Sequence, residues 1–436
     1  MGNNQDESLW SSHVSDLVRL AAERRELIDA QPGGDIRPES LEEMRFKDDR
    51  RREADELLAS AKLLFDMRMA SAFGLEAIWS DFPQLQGHAE NYSDLVAYAS
   101  ARPWWEEFVR VQDSEQFFHW ELEFPEVFLS ESPGFDAVLG NPPWDKVLPN
   151  RQEFYGSIDI LIRAYSGGDL DRRIRELEEA NDGLHEAFTE YQQHITTTGQ
   201  ILKNGGAFKY NDWQLEGHMT GGHQDIFKFF VEQAWRLARE SGRVGFVVPS
   251  AIYNNEGCTG LRHLLLDEAQ VERFYGFENR RKIFPIDSRY KFVNLVFRRG
   301  APEKDRFAAA FMRHDVSELE DGGAKPWMVT IVRSEVAEMS PGTLAFLEYR
   351  SPRDQGIVLK MYECKPVLGD QGGGAWNARF YSEYNMTNDK DLWTDPKTGK
   401  LYSVKQILGR EPTDFEEAPG CPRSCNWVSR LMQLRT

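Results

Sequence analysis

Asn141-Pro142-Pro143-Trp144 carries the clearest chemical signal in the chain. The run before it, Phe135-Asp136-Ala137-Val138-Leu139-Gly140, reads as a short buried strand ended by glycine, which puts the four residues on a loop at a strand's carboxyl end. An amide side chain followed by a stiffened carbonyl suits the holding of an exocyclic amine. The amine of adenine is a poor nucleophile because its lone pair is delocalised into the ring. Acceptors on both of its hydrogens favour a pyramidal nitrogen that can take a methyl group. The Asn141 side-chain oxygen and the Pro142 carbonyl are the candidate acceptors. Two prolines fix φ twice and remove N–H groups that would compete for that carbonyl. Trp144 offers a flat face for a base turned out of its duplex. The carboxyl ends of strands are also where open α/β sheets place their ligands. Without the strand in front, the same four residues would read as an ordinary strand-ending turn.

Other residues with chemical potential read more blandly. Glu121 and Glu123 resemble a carboxylate pair, but this methyl transfer needs no strong base, so both are expected on the surface. His119 is expected to be a satisfied structural histidine. The cysteines Cys258, Cys364, Cys421 and Cys425 are too few and scattered for a disulfide framework. Cys421 and Cys425 have no second pair to complete about four zinc ligands, so no metal is expected.

The elements that must position the loop follow from periodicity. Residues 1–117 read as mostly helical, with Leu57, Leu58, Ala61, Leu64 and Phe65 forming an apolar stripe. Short helices are expected over Ser93–Tyr98 and Trp104–Val109. From Asp169 to Ile195, Leu170, Ile174, Leu177, Leu184, Phe188, Tyr191 and Ile195 recur at steps of three and four, predicting a long helix or helical hairpin. Ile226 to Ala238 reads as a helix closed by Gly242. Val244–Val248 reads as a strand apolar on both faces. A helix at Leu261–Leu266 follows, then strands at Val271–Phe277, Phe292–Phe297, Ala308–Met312 and Met328–Val332. This alternation predicts an open α/β sheet.

Composition sets the class. Hydrophobic residues are 41% of the 436, enough for a sizeable core. No apolar run reaches the ~20 residues of a bilayer span, and the polar, acidic start is no secretory signal. A soluble, cytoplasmic protein with no membrane partner is therefore expected. A net charge of −19 argues against a surface made for nonspecific nucleic-acid binding. Against that background, Arg280, Arg281, Lys282, Arg289, Lys291, Arg298 and Arg299 form a basic cluster.

The segment Phe118-His119-Trp120-Glu121-Leu122-Glu123-Phe124-Pro125-Glu126-Val127-Phe128, followed by the Asn-Pro-Pro-Trp loop, resembles the large gamma-class N6-adenine DNA methyltransferases. These include fused restriction–modification enzymes and phage-defence methyltransferases. Asp225–Phe230, Gly242–Ser250, Lys282–Pro285 and Tyr290–Phe297 follow in the family's order, and Tyr384–Asp389 resembles the start of its target-recognition region. The resemblance spans roughly residues 50–405.

The resemblance implies site-specific methylation of adenine N6 in double-stranded DNA, with S-adenosylmethionine as donor. Asn141, Pro142, Pro143 and Trp144 would be the catalytic residues, and Phe284 would stack on the flipped base opposite Trp144. The core-phenylalanine reading of Phe284 stays open. Arg280, Arg281, Lys282, Arg289 and Lys291, grouped around Phe284, would face DNA phosphates, with a solvated face as the alternative. The implied architecture is α/β: the catalytic-loop half of a Rossmann-like methyltransferase sheet, over residues 118–300. A helical insertion lies at about 150–215. The helical region 1–117 precedes it, and 301–436 begins a target-recognition domain.

The family holds its methyl donor at a glycine-rich turn after an earlier strand, where glycine lets the backbone approach the ligand. Gly33-Gly34, Gly205-Gly206, Gly221-Gly222 and Gly372–Gly374 do not follow an apolar strand of that kind. Cofactor-binding residues are therefore not assignable from sequence. The expectation is a split, truncated or fragmentary enzyme whose cofactor-binding half comes from a second polypeptide. The strand Phe135–Leu139 would then be a sheet edge. The alternative is a catalytically silent DNA-binding or defence-complex subunit. A protein-glutamine methyltransferase, which also uses an Asn-Pro-Pro loop, ranks third.

Overall fold

In the helix Leu41–Ala72 (α1), Leu58, Ala61, Leu64, Met67 and Ala70 are buried, and their steps of three carry the buried surface around the helix. Leu64, Met67 and Ala70 meet α2 (Ala77–Gly87), α3 (Tyr92–Ser100) and α4 (Trp105–Glu115) in a helical core that includes Ile78, Leu85, Leu95 and Phe108. Asn91 starts α3 by accepting the Asp94 N–H at 3.1 Å. His119 is buried and bonded through Nε2 to the buried Asp66 at 2.7 Å. Gln112 donates to the other oxygen of Asp66. The pair ties α1 to the segment leading into the sheet, which is the structural role expected of His119. Glu121 is exposed, and Glu123 lies 3.5 Å from Lys62.

These features come from a computed structural model that describes Arg19 and residues 40–89, 91–204, 207–215, 218–219, 224–319 and 325–364. The chain divides into two units, Met1–Glu363 and Cys364–Thr436. Cys421, Cys425, Tyr384–Asp389, the glycine pairs at 33–34, 205–206 and 221–222 and the three glycines at 372–374 lie outside the described residues.

The sheet has strands β1 (Phe135–Gly140), β2 (Ala238–Pro249), β3 (Ala269–Glu278), β4 (Lys291–Arg299), β5 (Arg306–Arg313) and β6 (Val329–Val332). Their spatial order is β1-β2-β4-β3-β5-β6. β1 runs parallel to β2 and β3 to β5, and the other pairs are antiparallel. One face buries Val244, Phe246 and Val248 with Leu295, Phe297 and Phe274. Helices Ile226–Leu237 and Thr259–Asp267 pack there through Val231, Ala234, Leu261, Leu264 and Leu265. This is the mixed α/β architecture the alternation predicts. The insertion forms the expected helical hairpin, Gly167–Ala180 and Leu184–Asn204, closed around Ile174, Phe188, Tyr155 and Ile162.

Two details differ from the sequence reading. Gly242 does not end the helix: β2 starts at Ala238, directly after Leu237, and Gly242 lies inside it. A Cβ at Gly242 would stand 2.7 Å from the Phe135 carbonyl oxygen. Close approach of β1 therefore requires the glycine, at a point where the β1–β2 register skips from Ala238 to Arg243 and Ser241 takes a φ of +66°. The sheet also runs past residue 300. β5 and β6 belong to it, and Phe307, Phe311 and Ile331 join its core.

Candidate active site

Among the described residues β1 pairs with β2 only, so it is an edge of the sheet. Its register with β2 brings Gly140 opposite Phe246, and the loop begins one residue later. The far end of the loop is pinned to the start of the Ile226–Leu237 helix. Ile226 N–H donates to the Asp145 carbonyl and Val147 N–H to the Gln224 carbonyl, each at 2.8 Å. Asn141-Pro142-Pro143-Trp144 thus spans two fixed points. Pro142 is buried, while Asn141 is exposed and its side chain has no hydrogen-bond partner among the described residues. Trp144 is half-buried and donates from Nε1 to the Val247 carbonyl at 3.3 Å, which fixes the ring against β2.

Asn141, Pro142, Pro143 and Trp144 form one side of a pocket of about 260 Å³, and Phe284, Pro285 and Ile286 form the other. The structure therefore brings together the loop and the aromatic picked out in the sequence. The ring geometry is not that of an open sandwich. Trp144 and Phe284 meet at 6.2 Å between centroids and 78° between planes, edge to face. Phe292 braces both, 6.2 Å from Trp144 and 4.9 Å from Phe284. In this arrangement a base has one aromatic face to stack on, with the second ring as an edge wall.

The basic residues around Phe284 are engaged. Arg280 pairs with Glu278 at 2.6 Å, Arg281 with Asp315 at 2.7 Å and Arg289 with Asp287 at 2.7 Å. Lys282 donates to the Ile286 carbonyl at 2.8 Å. Lys291 reaches Glu348 at 2.7 Å and Glu278 at 3.5 Å. Arg298 pairs with Glu303, and Arg299 donates to the Arg236 and Ala238 carbonyls. Hydrogen bonds from Arg289 pull the Asp287 carboxyl down to about 2. Burial pushes the Glu278 carboxyl up, but His314, Arg280 and Lys291 more than offset it and hold it below the usual range. Burial works against the charge on Lys291, and the neighbouring Glu348 and Glu278 reverse that and raise it. The hydroxyl of buried Tyr253 donates to Glu348 and is pushed well up, first by burial and then by that carboxylate.

Behind the loop lies a second cavity of about 600 Å³, lined by Leu139, Asn141, Phe208, Phe229, Phe230 and Phe246 among others. Asn141 and Gln233 are the polar side chains in its wall. S-adenosylmethionine carries ribose hydroxyls, an ammonium and a carboxylate, and among the described residues this wall has no charged group to receive them. The cavity as lined does not fit that cofactor. Among the described residues no group of three or more His, Cys, Asp or Glu is placed to hold a metal ion. No described helix is long and apolar enough to cross a membrane.

Sequence reasoning missed Asn279, which holds the turn that carries Phe284, and the carboxylates Glu278 and Glu348, which both reach Lys291. Asn279 is fully buried and bonded to four backbone groups of the 284–287 turn. It stands in the polar run Glu278-Asn279-Arg280-Arg281-Lys282, which has no periodicity to show which side chain turns inward.

Residues 59–166 and 191–284, just under half of the chain, match the family model of the Eco57I restriction-modification methylases. The resemblance to restriction–modification methyltransferases thus has independent support over the segments that build the site. No curated protein matches the sequence. Among solved structures, the chain aligns with one from work on complex assembly and conformational transition of a type I restriction–modification system. That alignment has 14% identity and a TM-score of 0.24, and covers 32% of this chain and 37% of the other. The chain therefore spans little more than a third of that protein. It also aligns with the M protein of the type I restriction enzyme EcoKI, at 10% identity and a TM-score of 0.26, over 84% of this chain and 98% of the other.

Proposed function

We propose that this chain is the catalytic-loop part of a restriction–modification DNA methyltransferase that acts on adenine N6. The observation that carries the reading is Asn141. It projects an unpartnered amide into a pocket walled by two aromatic rings, at the carboxyl end of a strand. A flipped adenine stacks on Trp144 or Phe284, the Asn141 oxygen and the Pro142 carbonyl accept its amine hydrogens, and the aromatic walls exclude water. S-adenosylmethionine, held by residues outside the described cavity wall, would supply the methyl group. Double-stranded DNA is the substrate, and a second polypeptide completes the donor site by adding to the edge of β1 that no described strand pairs. The apolar cavity behind the loop supports a partner there, since apolar surface left uncovered by the described residues suits an interface. Arg280, Arg281, Lys282, Arg289 and Lys291, close to Phe284 in the chain, are the candidate phosphate-facing set.

The test is to express the chain together with its flanking genes and to map modified bases in the host DNA. N6-methyladenine that disappears with Asn141→Ala supports the reading, and modified cytosine or no modification counts against it. The second reading, a catalytically silent DNA-binding or defence-complex subunit, is favoured by the scarcity of polar groups in the cavity. It gains if no S-adenosylmethionine binds with every neighbour present.

A further inference from the structure

Base binding of the kind proposed above needs a wall that stays in place, and the wall opposite the catalytic loop is itself a loop. The segment 284–287 has no strand or helix to hold it. Asn279 makes four of its bonds, while Lys282 Nζ adds one to the Ile286 carbonyl at 2.8 Å and the Ile286 N–H closes on the Phe284 carbonyl at 2.8 Å. Asn279 Oδ1 accepts the Phe284 N–H at 3.0 Å, while Nδ2 faces the carbonyls of Phe284, Ile286 and Asp287 at 3.0, 3.2 and 3.2 Å. One N–H on one side and three carbonyls on the other settle the orientation of the amide. Asn279 has no exposed surface, so water does not compete for these bonds. Its own backbone is anchored, with its N–H on the Tyr290 carbonyl at 2.9 Å and its carbonyl taking the Lys282 N–H at 2.9 Å. Lys282 turns the chain back over Asn279 with a φ of +56°.

We propose that Asn279 is a positioning residue for base binding: its amide fastens the Phe284–Asp287 turn and thereby sets the aperture between Phe284 and the Asn141–Trp144 loop. The claim rests on the base-binding reading of that pocket. It separates Asn279 from an ordinary buried amide, because a residue that only stabilises the fold would not act on the base through Phe284.

The experiment uses the full chain and a single-stranded oligonucleotide of thymines with one 2-aminopurine, whose fluorescence reports stacking. The variants are Asn279→Asp, Phe284→Ala and the double variant. Asn279→Asp keeps the shape and the acceptor for the Phe284 N–H but loses every donor to the three carbonyls. Loss of a stack weakens binding by about tenfold, and a similar loss is expected for Asn279→Asp and for Phe284→Ala. The double variant should be no worse than Phe284→Ala alone, because both act through one ring. If Asn279→Asp does not fold, Asn279→Ser, which retains one donor, is read in the same way. A wild-type signal that the Asn279 variant keeps, or losses that add in the double variant, overturns the positioning role while leaving the pocket. A wild-type protein with no 2-aminopurine signal overturns the base-binding reading, and the positioning role falls with it.

Discussion

Each side chain of the Asn-Pro-Pro-Trp loop can be asked for a different loss. Asn141 is exposed and unpartnered among the described residues, so removing its amide leaves the fold alone. In the complete enzyme, Asn141→Ala should raise the methyl-transfer barrier by ~3 kcal/mol or more, the cost of losing one well-aimed polar group. Single-turnover methylation at the wild-type rate would count against its role. Trp144→Ala should instead weaken binding of the flipped base by ~1–3 kcal/mol, with a smaller effect on the chemical step. The basic residues divide by burial. Arg280, Arg281 and Arg289 are exposed, with Arg289 at 89%, and pairing of such exposed charges is worth little. They remain available to phosphates. Replacing all three with alanine should flatten the salt dependence of DNA binding by roughly one unit of slope for each phosphate left unneutralised. An unchanged slope would return them to the solvated surface. Asn141 was legible because strand, glycine, amide and prolines are adjacent in the chain. Asn279 was not, because its partners are set by the turn at Lys282 and only the fold brings them to it.

Strand and helix positions are legible wherever burial imposes a period. Val244–Val248, Val271–Phe277 and Phe292–Phe297 fall inside the observed strands, because residues facing helices must be apolar. The errors lie where one backbone meets another. A glycine after a helix looks like a cap, yet Gly242 is there because the Phe135 carbonyl leaves no room for a Cβ. The boundary expected at 300 rested on a loss of regularity, while pairing of β3 with β5 carries the sheet across it. The end of β3 also carries a titration. Glu278 faces Arg280, Lys291 and His314, and Lys291 joins it to Glu348. Its carboxyl is held below the ordinary range in the folded protein. Its contribution to stability is therefore fully present above the unfolded value of ~4.3 and fades as pH falls through the lower folded value. Denaturation midpoints should drop below about pH 4, and Glu278→Gln should remove part of that drop at a cost in stability near neutral pH. A variant whose acid limb superimposes on the wild type would show that Glu278 contributes nothing to it.

At the scale of the molecule, the described residues give the site one wall and one open edge. The wall carries the amide and the aromatic rings. The edge is that of β1, whose outer side has no pairing strand among them. Leu139 is 81% exposed on that strand, and Phe230 is exposed in the adjoining cavity. Asp136 is the strand's only charge. A free edge flanked by apolar surface invites pairing, and neither a proline nor a lysine protects it. The chain studied alone should therefore self-associate, and sedimentation velocity should show concentration-dependent species above the monomer. Leu139→Lys should shift them toward monomer with little effect on melting, because the side chain buries almost nothing. If a second polypeptide adds to this edge, the same substitution should abolish its binding, which separates a true interface from nonspecific stickiness. Cofactor binding follows the same logic. The cavity behind Asn141 offers aromatic surface but no charged group among the described residues, so calorimetry of S-adenosylmethionine against the chain alone should show weak binding or none. Heat should appear only once the second wall is added. Micromolar binding by a monodisperse monomer would place the donor site in other residues of this chain and remove the need for a partner.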